Sequence, residues 1–257
     1  MPTIRYSEVG KFGQFTVKSE GLTESLMPLP LNIRAVFFDA VGTVLEPSPP
    51  VRLAYLHAGR RHGHEATEAE VDLRFRSAFA AEEARDRASG LRTNEEREEQ
   101  RWRSIVASTL PGVPDQNLCY RELHDHFGRP DAWQVLPGAA EIIGLLVERG
   151  IMVGIASNFD SRLHGIVRAK PELAQIGPVV VSSEIGWRKP APEFFQHLAD
   201  LTGIATSHIL MVGDDAENDV AGPRRAGMAS LLVSPARPHR NAPGLAAVGS
   251  LLDANRS

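Results

Sequence analysis

The sequence predicts an α/β fold in which a parallel sheet is interrupted by one all-helical insertion. Short apolar runs alternate with helical patterns from residue 134 onward, and this alternation is typical of βαβ units and a parallel sheet. Residues 51–133 instead show helical patterns without a convincing strand. Because the apolar run Ala35–Phe38 precedes those helices, it joins the sheet only if the helices are inserted between two parts of one core.

The composition is that of a globular protein. The 257 residues are 42% hydrophobic and 23% charged, enough for one large core or one core with an inserted second domain. The net charge of −4 gives no reason to expect a nucleic-acid partner. No apolar stretch reaches the roughly 18 residues that span a bilayer, and the N-terminus lacks the apolar segment of a signal peptide. The single cysteine, Cys119, fits a reducing compartment, so we expect a cytoplasmic protein with a small-molecule substrate and no membrane partner.

The first strand is predicted at Ala35–Phe38, because an apolar run that ends abruptly in an acid is typical of a fully buried strand. Residues 1–32 precede it as an N-terminal extension. Prolines at positions 47, 49 and 50 cannot continue a strand or a helix, so we place a linker there. We therefore predict a core domain of residues 33–47 plus 134–257, and a helical cap domain of residues 48–133.

The later elements follow from caps and apolar runs. Thr67 with Glu70, and Thr93 with Glu96, match the capping box that opens a helix, and Asp115 is placed to cap a third helix. Beyond the cap, an apolar stripe predicts a helix that ends at a glycine. The remaining predictions are that helix, ending at Gly150; strands at 151–156, 179–181, 209–212 and 229–233; helices at about 193–203 and 218–226; and a short terminal helix after a loop beyond Pro235.

Polar residues follow the first strand directly. Asp39, Gly42 and Thr43 come after Phe38, and open α/β sheets bind ligands beyond the carboxyl ends of their strands. A carboxylate at that place is well positioned to act as a nucleophile, and the threonine hydroxyl can bind an anion. An ordinary strand followed by an Asx turn fits the same residues equally well.

Two later segments place more polar groups at predicted strand ends or loops. Ser157 and Asn158 follow the second long apolar run, where a hydroxyl and backbone amides can hold an anion. Lys189 precedes a proline near the start of a helix and can balance negative charge. Taken singly, a serine near a helix start and a solvated lysine explain these residues as well.

The segment Gly213–Asp219 is the strongest indication of chemistry. It contains four carboxylates within six residues after an apolar run, and such acids raise one another's pKa when they pack together. A divalent ion would relieve that repulsion, and oxygen ligands favour Mg²⁺ over Zn²⁺. The alternative is an exposed acidic turn that also caps a helix.

Taken together and in this order, the four segments resemble the haloacid dehalogenase-like (HAD) hydrolase superfamily over roughly residues 34–235. The resemblance implies a Rossmann-like parallel sheet core with an inserted all-helical cap domain. Three further stretches are similar to the group of haloacid dehalogenase-like hydrolase domain-containing protein 3: Trp133–Gly138, Ser157–Leu163 and Gly222–Met228.

The resemblance implies a role for each matched residue. Asp39 would attack the substrate and form a covalent aspartyl intermediate. Thr43 and Ser157, with Asn158 beside it, would bind the oxygens of the transferred group, and Lys189 would neutralise charge.

It also implies a magnesium site. Asp39, Asp214 and the backbone carbonyl of Val41 would bind Mg²⁺ directly, whereas Asp219 would support the ion, through water. The favoured function is therefore a magnesium-dependent phosphatase that acts on a small phosphorylated metabolite through a phospho-aspartate.

The sequence departs from the family pattern at Val41. Phosphatases that this chain resembles usually carry there a second aspartate, which protonates the leaving group. Acid–base help of this kind is worth roughly 10²–10⁴ in rate, although positioning and charge neutralisation still support phosphoryl transfer. The departure predicts substrates with good leaving groups, or an acid from the cap, for which His62, His64 and Glu65 are candidates that equally fit a solvated surface.

The same departure keeps other functions open. The 2-haloacid dehalogenases also lack the second aspartate, and Arg76 is a candidate for holding their halide; their chemistry needs no metal, so the acidic segment argues against them. Phosphonate hydrolases need a cap lysine, and residues 51–133 contain none. A binding or regulatory protein that keeps the fold is the third alternative.

Overall fold

The computed structural model describes residues 32–234, 236 and 243–254, so all but the last residue of the predicted N-terminal extension lies outside the described part. These described residues contain seven strands: β1 (Ala35–Phe38), β2 (Leu45–Pro47), β3 (Trp133–Val135), β4 (Met152–Ser157), β5 (Val179–Val181), β6 (Ile209–Gly213) and β7 (Ala229–Leu232). Five of them form a parallel sheet in the order β5-β4-β1-β6-β7. The predicted α/β fold with a parallel sheet is thereby confirmed.

Strand β1 lies at the centre of this sheet, and all four of its residues are buried. Phe38 pairs with Ile155 of β4 on one side and with Val212 of β6 on the other. Because all three strands run in the same direction, their carboxyl ends meet at one edge of the sheet. This edge carries the polar residues that follow each strand.

The helices of the described residues are α1 (Val51–Arg61), α2 (Glu68–Ala88), α3 (Glu95–Thr109), α4 (Gln116–Gly128), α5 (Ala139–Glu148), α6 (Arg162–Arg168), α7 (Ser182–Ile185), α8 (Pro192–Thr202), α9 (Gly222–Arg225) and α10 (Ala246–Ala254). Helices of the core, among them α5 and α8, cover both faces of the sheet. Side chains of β1 alternate between the two faces: Phe38 packs in the cluster that includes Ile142 of α5, and Phe37 packs with Phe194 of α8. The sheet is thus buried on both sides, which holds β1 and the polar residues that follow it in a fixed position.

Helices α1 to α4 form an insertion between β2 and β3. These two strands pair antiparallel, Leu45 with Val135 and Pro47 with Trp133, so the chain leaves and re-enters the core at neighbouring points. The linker assigned to the prolines is therefore partly wrong, because Pro47 ends a strand; the pairing partner lies 86 residues away in the sequence and is not visible locally. The domain limits at 47/48 and 133/134 stay a prediction.

The insertion has its own apolar core, and its caps test the sequence rules. Thr67 and Glu70 form the predicted capping box, and Asp115 caps α4. The box predicted at Thr93 is wrong: Asn94 caps α3, whereas the buried Thr93 hydroxyl donates to Glu98 at 2.7 Å.

Glycines end several elements as predicted. Gly150, Gly203 and Gly227 have φ values of +72°, +65° and +79°, which favour glycine after a helix. The helix expected at 218–226 is instead a π-helical turn, Ala216–Ala221, followed by the short α9. In the described residues, no helix is long and apolar enough to cross a membrane.

Candidate active site

The site lies at the carboxyl edge of the sheet, where Asp39 follows β1 and Asp214 follows β6. The backbone N–H of Asp39 donates to the carbonyl of Val212 at 2.8 Å, which ties the two strand ends together. Carboxylate oxygens of Asp39, Asp214 and Asp219 lie within 4.8 Å of one another. Acids far apart in the sequence therefore meet at one point of the fold.

Asp39 is buried and held on one side only. The Ser157 hydroxyl donates to its Oδ1 at 3.0 Å, and the Lys189 ammonium donates to the same oxygen at 2.7 Å. Among the described residues, none donates a hydrogen bond to Oδ2. The second oxygen is therefore the one that can attack a substrate.

Lys189 is almost completely buried and uses all three of its donors. They reach Asp39, the carbonyl of Ala156 at 2.8 Å and Asp219 Oδ1 at 2.6 Å. Burial alone would lower the pKa of Lys189, but the carboxylates of Asp219 and Asp39 outweigh it and hold the pKa above its ordinary value. The ammonium is therefore a fixed positive charge beside Asp39.

Asn158 positions this lysine. Its side-chain oxygen accepts from the backbone N–H of Lys189 at 2.7 Å, and its side-chain nitrogen donates to the Lys189 carbonyl at 2.9 Å. Both ends of the amide are thus engaged with the Lys189 backbone. We attribute to the side chain a positioning role rather than direct contact with a substrate.

The acids opposite Lys189 are under electrostatic strain. Burial, together with the charge of Asp39, raises the pKa of Asp219 although Lys189 opposes the shift. Partial removal from water, followed by the charges of Asp39 and Asp219, raises the pKa of Asp214 to about 7. Like charges at this distance favour protonation or a bound cation.

Of the four carboxylates in the acidic segment, Asp214 and Asp219 group with Asp39. Asp215 caps the π-helical turn, accepting from the N–H groups of Glu217 at 2.9 Å and Asn218 at 2.7 Å. Glu217 pairs with Arg225 at 2.7 Å on the surface. The expected packing of all four acids together is therefore wrong, because a helix start and a surface arginine use two of them.

Two glycines let the backbone come close to these acids. Gly42 has φ +89°, and a Cβ atom there would overlap the carboxylate of Asp214. A Cβ atom at Gly213 would overlap the side chain of Asp219. Each glycine therefore leaves room for one carboxylate of the cluster.

Thr43 and Val41 complete the turn after β1. Thr43 is fully buried, and its Oγ1 has no hydrogen-bond partner among the described residues; an unpaired buried hydroxyl costs roughly 1–3 kcal/mol. Val41 is half-buried and packs against the core while lining the cavity above Asp39. The turn thus presents one unpaired hydroxyl and no second acid.

The donor set fits a magnesium ion. Three carboxylates face a single ammonium, so the cluster carries two negative charges in excess when all of its groups are ionised. Oxygen is the ligand type that Mg²⁺ prefers, and the pKa values of Asp214 and Asp219 are raised although Lys189 pairs with Asp219. Asp39, Asp214 and Asp219 are the side chains that could hold the ion.

A cavity of about 800 Å³ opens above these acids and reaches between the insertion and the core. Its floor includes Asp39, Lys189 and Asp214. Its remaining walls are largely aromatic: Tyr55, Phe75, Phe79, Trp102, Tyr120, Phe127, Trp133 and Phe159.

The cap residues proposed from the sequence lie elsewhere. His62 bonds to Glu122 at 2.8 Å, and His64 and Glu65 line a separate surface hollow. Arg76 is mostly exposed and pairs with Asp72 at 2.7 Å. None of the four lines the cavity above Asp39, so the structure gives no support to the acid or halide-holding role for which they were candidates.

Sequence reasoning missed His124 and Tyr120, which do line the cavity. They lie four residues apart on α4, and their rings are 5.3 Å apart; this spacing on one helix face was the available indication. Burial, followed by the charge of Arg162, lowers the pKa of His124. Its ring is therefore neutral near pH 7 and is a poor proton donor.

A second group of charges joins the insertion to the core. Arg188, the neighbour of Lys189, reaches Glu98 and contacts Glu83 at 3.4 Å and Asp86 at 3.5 Å. We call the whole set the interface cluster: Glu82, Glu83, Asp86, Arg97, Glu98, Arg101 and Arg188. It anchors helices α2 and α3 to the segment that carries Lys189.

The fold and the site together define a class: an enzyme whose strand-end aspartate, buried lysine and acidic pair face a cavity under a helical insertion. A family model described as haloacid dehalogenase-like hydrolase matches residues 33–227. The chain is also 33% identical over 211 residues to the human (Homo sapiens) haloacid dehalogenase-like hydrolase domain-containing protein 3, which covers 79% of this chain and 82% of that protein. The chain therefore belongs to the haloacid dehalogenase-like hydrolase family, as its motifs predicted, and it is a hydrolase.

Solved structures share this fold. HAD-hydrolase YfnB of Bacillus subtilis bound to magnesium superposes with a TM-score of 0.69 at 18% identity, covering 86% of this chain and 99% of that one. The L-2-haloacid dehalogenase of Xanthobacter autotrophicus gives a TM-score of 0.62 at 20% identity, covering 78% and 77%. Fold likeness alone thus leaves the reaction open.

Proposed function

We propose that this hydrolase is a magnesium-dependent phosphatase that acts on a small phosphorylated molecule through a phospho-aspartate at Asp39. The observation that carries the proposal is the excess of carboxylates around one lysine: Asp39, Asp214 and Asp219 face Lys189 alone. Hydrolysis at carbon by an aspartate needs no metal, whereas transfer of a phosphoryl dianion gains from one. The acidic cluster therefore supports the phosphatase over the dehalogenase.

In the first step, Oδ2 of Asp39 attacks phosphorus, a P–O bond forms, and the leaving oxygen departs with its electron pair. Lys189 and Ser157 hold Oδ1, so they orient the carboxylate and keep it ionised. Thr43 is fully buried with an unpaired hydroxyl among the described residues, and we propose that this hydroxyl binds a phosphoryl oxygen when the substrate is in place. Mg²⁺ held by Asp39, Asp214 and the Val41 carbonyl, with support from Asp219, would neutralise charge on the phosphoryl oxygens.

In the second step, water attacks the phosphorus of the aspartyl phosphate, which releases inorganic phosphate and restores the Asp39 carboxylate. The insertion covers the cavity and limits the access of water during the first step. Val41 cannot protonate the leaving group, so the first step depends on a leaving oxygen that is stable as an anion.

A substrate panel tests this function. Purified protein is assayed with p-nitrophenyl phosphate, acetyl phosphate and 2-chloropropionate, each with Mg²⁺ and with EDTA. We expect phosphate release that needs Mg²⁺ and falls at least about 10⁴-fold in Asp39→Asn, because the nucleophile is lost. Glu217→Gln, which alters a surface carboxylate of the same acidic segment, is the matched control and should retain activity.

Two other results would replace the proposal. Chloride release that is insensitive to EDTA would identify a 2-haloacid dehalogenase, which also lacks a second acid at the position of Val41. The absence of turnover on every substrate, with no difference between the wild type and Asp39→Asn, would instead indicate a binding or regulatory protein.

A further inference from the structure

We infer that the substrates are small aryl phosphate monoesters, in which the phosphate is attached to an aromatic ring that enters the cavity under the insertion. This inference rests on the proposed function and names its substrate class. Three observations carry it: the aromatic walls of the cavity, the pairing of its charged side chains, and the lack of a proton donor at the leaving oxygen.

The walls suit a flat apolar body. Phe75 lies 5.1 Å from Tyr55 and 6.0 Å from Phe79, and Phe79 lies 6.3 Å from Trp102, measured between ring centroids. These rings form one continuous aromatic surface, and Phe127 extends it, 6.2 Å from Tyr55. Aromatic rings pack favourably edge-to-face or offset at such distances, and a cavity of about 800 Å³ has room for more than one ring.

The charged groups of the cavity do not suit a second anionic group on the substrate. Arg162 pairs with Asp160 at 2.7 Å, and Arg188 is held by the interface cluster. Arg87 lies 3.8 Å from Glu83, which lines the cavity as well. A substrate carboxylate there would meet guanidinium groups that already have carboxylate partners, and it would face the charge of Glu83.

Among the described residues that line the cavity, neither Val41 nor His124 supplies a proton to the leaving oxygen. Val41 carries no proton to donate, and His124 is neutral near pH 7 for the reason given above. A phenolate is a far better leaving group than an alkoxide, since the phenol of tyrosine has a pKa of about 10 and water one of about 15.7. An aryl ester therefore removes the need for the acid that this chain lacks.

The test uses substitutions on helix α2 that narrow the cavity and leave the side chains of the core unchanged. Ala80 and Ala84 line the cavity and are exposed, whereas Ala81 is exposed but lies outside it. Ala80→Phe and Ala84→Phe are compared with the matched control Ala81→Phe, using 2-naphthyl phosphate, phenyl phosphate and acetyl phosphate at saturating Mg²⁺. Thermal unfolding followed by circular dichroism verifies that each variant is folded.

We expect the wild-type KM for 2-naphthyl phosphate to be about tenfold lower than that for acetyl phosphate. Apolar contacts in a binding pocket commonly distinguish two substrates by a factor of this size. The ratio of kcat/KM for 2-naphthyl phosphate to that for acetyl phosphate should fall about tenfold in Ala80→Phe or Ala84→Phe and stay at the wild-type value in Ala81→Phe. Benzyl phosphate, which has a similar ring but an alkoxide leaving group, should have a kcat at least about tenfold below that of phenyl phosphate.

Equal KM values for acetyl and 2-naphthyl phosphate, or the same ratio in all three variants, would overturn the inference. If acetyl phosphate is still hydrolysed with Mg²⁺ in that case, the proposed phosphatase stands and only the substrate class falls. If no phosphate ester or acyl phosphate is hydrolysed, the proposed function falls and the substrate class falls with it.

Discussion

Two groups of charged side chains, each with buried members, lie close together in this molecule, and they are balanced in opposite ways. In the interface cluster, four carboxylates of α2 and α3 face three guanidinium groups, and exposed Arg85 pairs with one of the acids, Glu82. In the catalytic cluster (Asp39, Asp214, Asp219 and Lys189), three carboxylates face one ammonium. The first group is nearly neutral, whereas the second has a clear excess of negative charge.

The pKa values follow this difference. Burial alone would raise the pKa of Glu82, but hydrogen bonds from Arg97 and Ser104 and the neighbouring arginine charges outweigh it and lower the pKa below its ordinary value. In the catalytic cluster, the pKa of Asp214 is raised to about 7. The same residue types therefore form balanced ion pairs in the interface cluster and leave unbalanced negative charge in the catalytic cluster.

Removing one acid from the interface cluster should have the largest effect on stability. Asp86 is buried and contacts Arg97 at 2.6 Å as well as Arg101 and Arg188. Asp86→Asn leaves three guanidinium groups short of a partner, so we expect a loss of about 3–5 kcal/mol in the free energy of unfolding, measured by urea denaturation. Asp72→Asn, which breaks the exposed pair with Arg76, should cost less than about 1 kcal/mol; equal losses would mean that the interface cluster is not a stabilising unit.

Adding an acid to the catalytic cluster should have the next largest effect, this time on activity. Val41→Asp places a proton donor next to the leaving oxygen, and we expect turnover of benzyl phosphate to rise on the order of 10²-fold while that of phenyl phosphate changes much less. Steady-state kinetics at saturating Mg²⁺ measures both. Val41→Asn has nearly the same shape but no acidic proton and should give no such gain; an equal gain on both esters would show that the missing acid does not limit the reaction.

Removing an acid from the catalytic cluster should have the smallest effect, and its sign should be opposite to that of Asp86→Asn. In EDTA, Asp214→Asn relieves repulsion with Asp39 and Asp219, so the protein should become more stable by about 1 kcal/mol, since solvent screens part of the repulsion. Urea denaturation measures the change. Addition of Mg²⁺ should stabilise the wild type more than Asp214→Asn, because the variant has lost a ligand.

Glu217→Gln serves as the control, because its carboxylate pairs with Arg225 and does not face the other acids. A destabilised Asp214→Asn protein in EDTA would contradict the contrast between the two clusters.

The catalytic cluster could be predicted from the sequence, because the patterns that indicate it are local. An apolar run followed by an acid predicts a buried strand end at Asp39, and a second such run predicts Asp214. Parallel strands bring their carboxyl ends to one edge, so the meeting of these acids follows from the fold class alone. The positions of β1, β5 and β6 and of the glycines that end α5 and α8 were predicted for the same reason.

The interface cluster could not be predicted from the sequence, because each of its residues fits an exposed position when its segment is considered alone. Glu82 and Glu83 are adjacent, and Asp86 follows them by four and three residues on a helix rich in charge, which is typical of a solvated face. Their partners lie on other elements: Arg97 and Arg101 of α3 and Arg188 of the core pair with these acids. The pairing of β2 with β3 was missed on the same grounds, as was the role of Thr93, whose partner is a cluster residue rather than its own helix.

The pairing of β2 with β3 also makes it possible to replace the whole insertion by another domain. Because Leu45 and Val135 are cross-strand neighbours, a tight hairpin could join them, or a foreign module could be spliced there, without moving β1. Arg188 sets one condition on such an exchange, because it pairs with an acid of the present insertion. A replacement domain without acids at this place would leave the Arg188 guanidinium buried and unpaired next to Lys189. Successful chimaeras should therefore either carry matching acids or replace Arg188 with an uncharged residue.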